Sequence, residues 1–115
     1  MNAAVVGSRN FQDYELVKQI LGEYEISVVV SGGAKGADSL GGKYANEHQI
    51  PTLIFKPDWK RLGRGAGPAR NKTIVENADF IIAFWDGDSK GTKSAINFAK
   101  KLNKPLRIVM IEPSA

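Results

Sequence analysis

The 115 residues suit one domain with a single core, and a hydrophobic share of 43% beside 24% charged residues excludes wholesale disorder. With no cysteine and one histidine, His48, disulfides, thiolate nucleophiles and a Cys- or His-built metal centre are excluded, and no metal or cofactor is expected. The net charge of +4 fits either a nucleic-acid surface or a set of cations converging on one small anion.

The chain opens on "MNAAVVGSRN", strand-like residues running into a glycine turn rather than into a signal peptide. No apolar run approaches the roughly 20 residues needed to cross a bilayer, so a cytoplasmic protein without membrane attachment is expected. Ala3 to Gly7 reads as a buried strand, and "DYELVKQILGEY" spaces Leu16, Val17, Ile20, Leu21 and Tyr24 as the stripe of an amphipathic helix. "SVVVS" is a second strand. It ends in "SGGAKGAD", and a helix over Ala37 to Glu47 follows, with Leu40, Tyr44 and Ala45 inward.

"PTLIF" is the third strand. The stretch "KPDWKRLGRGAG" after it is too rich in glycine, proline and charge to be regular and reads as a mobile loop on the functional face. Pro68 suits the first residue of the third helix, "PARNKTIVENA", where its missing N–H costs nothing. "DFIIAFW" is the fourth strand, "KGTKSAINFAKKL" the fourth helix with Ala95, Ile96, Ala99 and Leu102 inward, and "PLRIVMI" the fifth strand; "EPSA" reads as a frayed tail. Apolar strands alternating with helices predict a single Rossmann-like three-layer α/β sandwich over 1–115, a five-stranded parallel sheet covered on both faces by about four helices.

In such a sheet ligands bind beyond the carboxyl ends of the strands, where the strand order reverses. The segments there are "GSRN", "SGGAKGAD", "KPDWKRLGRGAGPARN" and "WDGDSKGT", which carry Arg9, Lys35, Lys60, Arg61, Arg64, Arg70 and Lys90. Gathering on one rim favours a local anion over a nucleic-acid track. Gly32, Gly33 and Gly36 at a helix entrance would leave backbone N–H groups free for a phosphate, or would simply permit a tight turn. Ser89, Lys90, Gly91 and Thr92 form a second loop of the same kind, in which Ser89 and Thr92 would cap the helix in either case. Neither loop is a Walker loop or a dinucleotide fingerprint.

Gly7, Ser8, Ser31 and Asn71 complete the binding candidates, and Arg70 is the guanidinium expected on phosphate or carboxylate. Trp85 would stack on a base or pack in the core, and Trp59 would form a lid. Asp38, Asp58, Asp86 and Asp88 are rim carboxylates, available for ribose hydroxyls or proton transfer, with a cap or turn role for Asp88. His48 belongs at a helix C-terminus as a dipole contact. A homo-oligomer, dimer or higher, is expected, with helix faces carrying Tyr44 or Phe98 as contacts.

Together "GSRNFQDYELV", "SGGAKGAD" and "GPARNKTIVENADFIIAFWDGDSKGT" resemble the YspA-like, cpYpsA-related branch of the SLOG superfamily over nearly the whole chain. The resemblance implies a Rossmann-like nucleotide-binding domain akin to sensors of NAD-derived or cyclic nucleotide signals in bacterial immunity. It also implies distant similarity to the lysine-decarboxylase-like phosphoribohydrolases and to DprA. The expected ligand is a small nucleotide, of ADP-ribose, NAD-derived or cyclic type, held by a stand-alone sensor or sequestering protein, including a phage sponge against host immune signalling. The phosphoribohydrolases carry "PGGxGTxxE"; here Arg70 matches their arginine, but Ala95 stands at the glutamate position. Hydrolysis of an N-glycosidic bond, if present, would then fall to Arg70 with Asp86 or Asp38, and the resemblance leans away from an enzyme. Single-stranded DNA binding, as in DprA, is the further alternative, with nucleic acid disfavoured.

Overall fold

In the computed structural model, which describes residues 1–112, the elements follow the expected alternation. They are β1 (Asn2–Gly7), α1 (Tyr14–Leu21), β2 (Val28–Ser31), α2 (Ala37–Glu47), β3 (Thr52–Ile54), the single turn α3 (Trp59–Leu62), a 3-10 turn (Gly63–Gly65), α4 (Ala66–Glu76), β4 (Phe80–Trp85), α5 (Lys90–Lys101) and β5 (Leu106–Met110). Of "EPSA", Pro113 to Ala115 lie outside the described residues.

All pairings are parallel, and the sheet order is β3-β2-β1-β4-β5. The order reverses between β1 and β4, which sets the switch point. Strand periodicity divides the inner residues between two cores. Ala3, Val5, Phe80, Ile82 and Phe84 pack with Val17, Leu21 and Tyr44 from α1 and α2, whereas Ala4, Val6, Ile81 and Ala83 pack with Ile74, Val75, Ile96 and Ala99 from α4 and α5. The result is the three-layer sandwich that the alternation of strand and helix demands.

Local chemistry fixes the ends of these elements. The Asp13 carboxylate accepts the Leu16 N–H at 3.1 Å and caps α1, and Ser89 does the same for Thr92 N–H at 3.4 Å on α5. Lys100 and Lys101 lie in the last turn of α5, where cations oppose the dipole favourably. His48 closes α2 with Nδ1 at 2.9 Å from the Tyr44 carbonyl oxygen, as its position implied.

Four expectations need correction. The stretch after β3 is not irregular: the Asp58 carboxylate accepts the Arg61 N–H and starts α3, and the chain then stays helical through the 3-10 turn into α4. Pro68 accordingly sits one turn inside the start of α4 rather than at its first residue, still ahead of the point where its N–H would be needed. The sheet is not covered to its edges, since Leu53 and Ile54 of β3 and Ile108 and Met110 of β5 are exposed. Tyr44, suggested as an oligomer contact, is 7% exposed and stacks on His48 inside the fold.

No helix among the described residues is long and apolar enough to cross a membrane. No group of three or more His, Cys, Asp or Glu among the described residues could hold a metal ion.

Candidate functional site

The crevice lies at the switch point and is built from the four loops that leave the strands. Ser8 ties three of its parts together: its N–H donates to the Phe84 carbonyl at 3.1 Å, and its carbonyl accepts from Phe11 N–H and Ala37 N–H at 3.3 Å. Phe11 stacks on Phe84 with ring centroids 5.2 Å apart, which anchors the β1–α1 loop to β4.

Arg70 and Asn71, at the start of α4, join the two glycine loops. Arg70 Nη1 donates to the Gly32 carbonyl at 3.2 Å and its Nε to Asn71 Oδ1 at 3.0 Å, while Asn71 Nδ2 donates to the Gly91 carbonyl at 3.3 Å. Gly32 is glycine for a steric reason, because a Cβ there would lie 2.6 Å from Arg70 Cζ. The pair thus fixes the guanidinium against the β2–α2 loop and the β4–α5 loop against α4.

The backbone amides behave differently from the sequence expectation. Gly32 N–H donates to the Asp38 carboxylate at 3.0 Å, and Ala37 N–H is taken by Ser8. At the second loop the Asp86 carboxylate accepts Ser89 N–H at 2.8 Å and Asp88 N–H at 2.9 Å. Asp88 therefore donates to the turn that Asp86 forms, and the α5 cap is Ser89. The protein's own carboxylates occupy much of what a phosphate would have used, which leaves the side-chain cations as the free positive groups of the crevice.

Those cations converge on one side. Arg9, Lys35, Lys56 and Arg70 line a cavity of about 530 Å³ together with Gly32, Gly33 and Trp59, and no carboxylate lines it. Next to it, over β1 and β4, a cavity of about 370 Å³ is lined by Gly7, Ser8, Asn10, Asp38, Asn71, Asp86, Ser89 and Gly91, and it shares Arg9 and Arg70 with the first. Burial lowers the Arg70 pKa; the Asp38 carboxylate raises it and Arg9 lowers it again, so the two cations flank a buried carboxylate that offsets part of their repulsion.

Asp38 is 6% exposed. Burial raises its pKa above the usual aspartate value, and the Gly32 amide, Arg70, the Ala34 amide and Arg9 pull it part of the way back. A carboxyl whose pKa is higher folded than unfolded contributes stability that is full below about pH 4 and is lost as pH rises through the folded value. Asp38→Asn keeps an acceptor for Gly32 N–H and removes the charge. Its melting temperature relative to wild type is therefore expected to climb as pH rises above about 4. Thermal melts at acidic and neutral pH check this, and a difference that shrinks with rising pH contradicts it.

Asp86 has the opposite shift, its pKa held down by the Ser89 and Asp88 amides, with Ser8 adding to the effect. The Ser8 hydroxyl itself is enclosed and makes no hydrogen bond of acceptable geometry. Of the other candidates, Ser31 is buried at the end of β2, and its Oγ accepts the Gly33 N–H at 3.4 Å. Gly36 caps α2. Thr92 is buried, with Oγ1 at 3.0 Å from Ser89 Oγ. Trp85 donates Nε1–H to the Ser89 carbonyl at 3.1 Å and packs on the core, so it braces the loop from beneath. Arg64 is exposed on the 3-10 turn, and Lys90 lines a groove on the outer side of α5 with Phe98; neither lines the two crevice cavities.

Lys56, Asn10 and Ile74 were missed. Lys56 is the second residue past β3, at the carboxyl end that topology marks as functional, and that position was the available signal.

A doubly wound parallel sheet with a glycine- and cation-lined crevice at its switch point defines a Rossmann-like ligand-binding domain. Residues 1–62 match the family model of the YspA, cpYpsA-related SLOG family, and the chain belongs to that family. It is also similar to the Gene 61 protein of Mycobacterium phage D29, at 32% identity over 114 residues covering 89% of this chain and 90% of that protein. Family membership suggests nucleotide-related ligand binding.

Proposed function

We propose that this cytoplasmic protein captures a phosphorylated nucleotide derivative in the crevice, as a sensor or sequestering domain. The observation that carries the reading is the convergence of Arg9, Lys35, Lys56 and Arg70 on one cavity without a lining carboxylate. Cations gathered this closely repel one another, and a phosphate relieves the repulsion while accepting a forked contact from a guanidinium. Trp59 offers an aromatic face at the rim, and Asn10 and Asn71 offer hydrogen bonds to a sugar in the adjoining cavity. ADP-ribose-type, NAD-derived and cyclic nucleotide signals all carry these parts, and sequestering such a signal suits a phage protein acting against host immunity. A homo-oligomer belongs to the same proposal: Leu53, Ile54 and Leu62 leave apolar surface exposed on the β3 side, where a neighbouring copy would deepen the basic cavity.

A second reading rests on Asp38. A buried carboxyl with a raised pKa lining the central cavity beside Arg70 is suited to proton transfer in cleavage of an N-glycosidic bond. Against it, Ala95, at the glutamate position of the phosphoribohydrolases, is 1% exposed and packed in the apolar core.

The test is to purify the protein from cells, release its small molecules by heat and identify them by mass spectrometry. Incubation with AMP and with ADP-ribose, followed by chromatography, completes it. Capture predicts an intact, phosphorylated metabolite; free adenine after incubation supports hydrolysis instead. A protein that releases no anionic metabolite and binds neither compound defeats the proposal.

A further inference from the structure

The crevice continues beyond Asp86. On the far side of Ser8, Asn10 and Asp86 a cavity of about 430 Å³ opens along the carboxyl ends of β1, β4 and β5. Phe11, Leu16, Met110 and Ile111 give it apolar walls, and its charged lining residues are all carboxylates, Asp13, Asp86 and Glu112. The lining of the groove therefore changes character from the β3 side of the sheet to the β5 side, from four cations in one cavity to three carboxylates around an apolar cleft.

One observation at this end points to a ligand. Met110 is 61% exposed at the lip of the cleft, an apolar side chain in water with a space of base size beside it.

Building on the phosphate-binding reading, we propose that the ligand is a nucleotide whose phosphate charge lies at one end only. Its phosphate sits against Arg9, Lys35, Lys56 and Arg70, its sugar at Asn10 and Asp86, and its uncharged base in the cleft between Phe11 and Met110. The turn amides hold the Asp86 carboxyl ionised at neutral pH. A second phosphate on the nucleoside side would face Asp86 and Glu112 in a cleft that no lysine or arginine among the described residues lines. The groove thus selects by charge position as well as by shape, and it rejects nucleosides phosphorylated on both sides of the sugar.

Calorimetric titration of the full chain with AMP, ribose 5-phosphate and adenosine 3′,5′-bisphosphate tests this. AMP is expected to bind most tightly. Met110→Glu should weaken AMP roughly tenfold through lost apolar contact with the base while leaving ribose 5-phosphate unchanged, and Met110→Lys should admit the bisphosphate. Both variants sit at an exposed edge-strand position, and circular dichroism confirms that they fold. Wild-type protein that binds the bisphosphate as tightly as AMP, or Met110 variants that shift AMP and ribose 5-phosphate alike, overturns the inference. AMP binding that needs Lys56 but ignores Met110 overturns this inference alone. A chain that binds none of the three probes removes the phosphate reading with it.

Discussion

Replacing Arg70 with alanine is expected to weaken AMP binding about a hundredfold while leaving the fold intact. Arg70 lines both the basic cavity and the central one, and its Nη1 contact to the Gly32 carbonyl directs the guanidinium into the crevice. Truncation removes the fork aimed at phosphate and also unties Asn71, whose Oδ1 accepts from Arg70 Nε. Stability should change little, because the end of an unfavourable burial and of the repulsion from Arg9 offsets the lost attraction to Asp38. Arg70→Lys separates charge from geometry: an ammonium restores the charge but cannot contact Gly32 and a phosphate in one plane, so it should recover only about a tenth of the lost affinity. Calorimetry measures both variants. Wild-type affinity in Arg70→Ala would mean that the cations only decorate the rim.

Much of this architecture was legible because it rests on periodicity. The stripe of Val17, Ile20 and Leu21 and the runs "AAVV" and "FIIAF" each have one stable arrangement, and placing glycine loops at the carboxyl ends of parallel strands needs only the right-handed crossover. What was hidden depended on spatial neighbours. Lys56 joins the site because β3 pairs with β2 and so brings it beside Gly33; its place just past β3 is the one hint that "FKPDWK" carries. The exposure of Ile54 and Met110 follows from β3 and β5 lying at the sheet edges, which apolar strands do not declare. The fate of the amides was a local matter missed for a local reason. In "DGDS" the first aspartate reaches two and three residues ahead, an Asx turn readable in principle but masked by treating Asp86 as a rim carboxylate free for a ligand. The β5-side cleft escaped notice because its walls, Phe11, Leu16, Met110 and Ile111, read as ordinary core residues.

Gly36→Ala should have the largest effect on the fold, lowering stability by about 3–5 kcal/mol from backbone strain and overpacking together. Gly36 begins α2 at φ 80° and ψ −130°, a region that essentially only glycine occupies. An added Cβ would also lie 2.6 Å from the backbone carbon and oxygen of Arg9. That obstacle is main chain, and the neighbouring Ser8 carbonyl is held by Phe11 N–H and Ala37 N–H, so relief requires the whole β1–α1 loop to move. At this chain length the loss corresponds to a fall in melting temperature of about 15 °C. The displaced loop carries Arg9 and Ser8, so AMP affinity should fall as well. Gly42→Ala, in the same helix, supplies the contrast: nothing lies within 4 Å of its added Cβ, and the change should stabilise the protein by about 0.5–1 kcal/mol through lower chain entropy in the unfolded state. Thermal melts followed by circular dichroism should therefore move in opposite directions for the two variants. A Gly36→Ala protein that melts within a few degrees of wild type would show that the β1–α1 loop yields freely, and the fixed positions of Arg9 and Ser8 on which the crevice depends would be lost with that result.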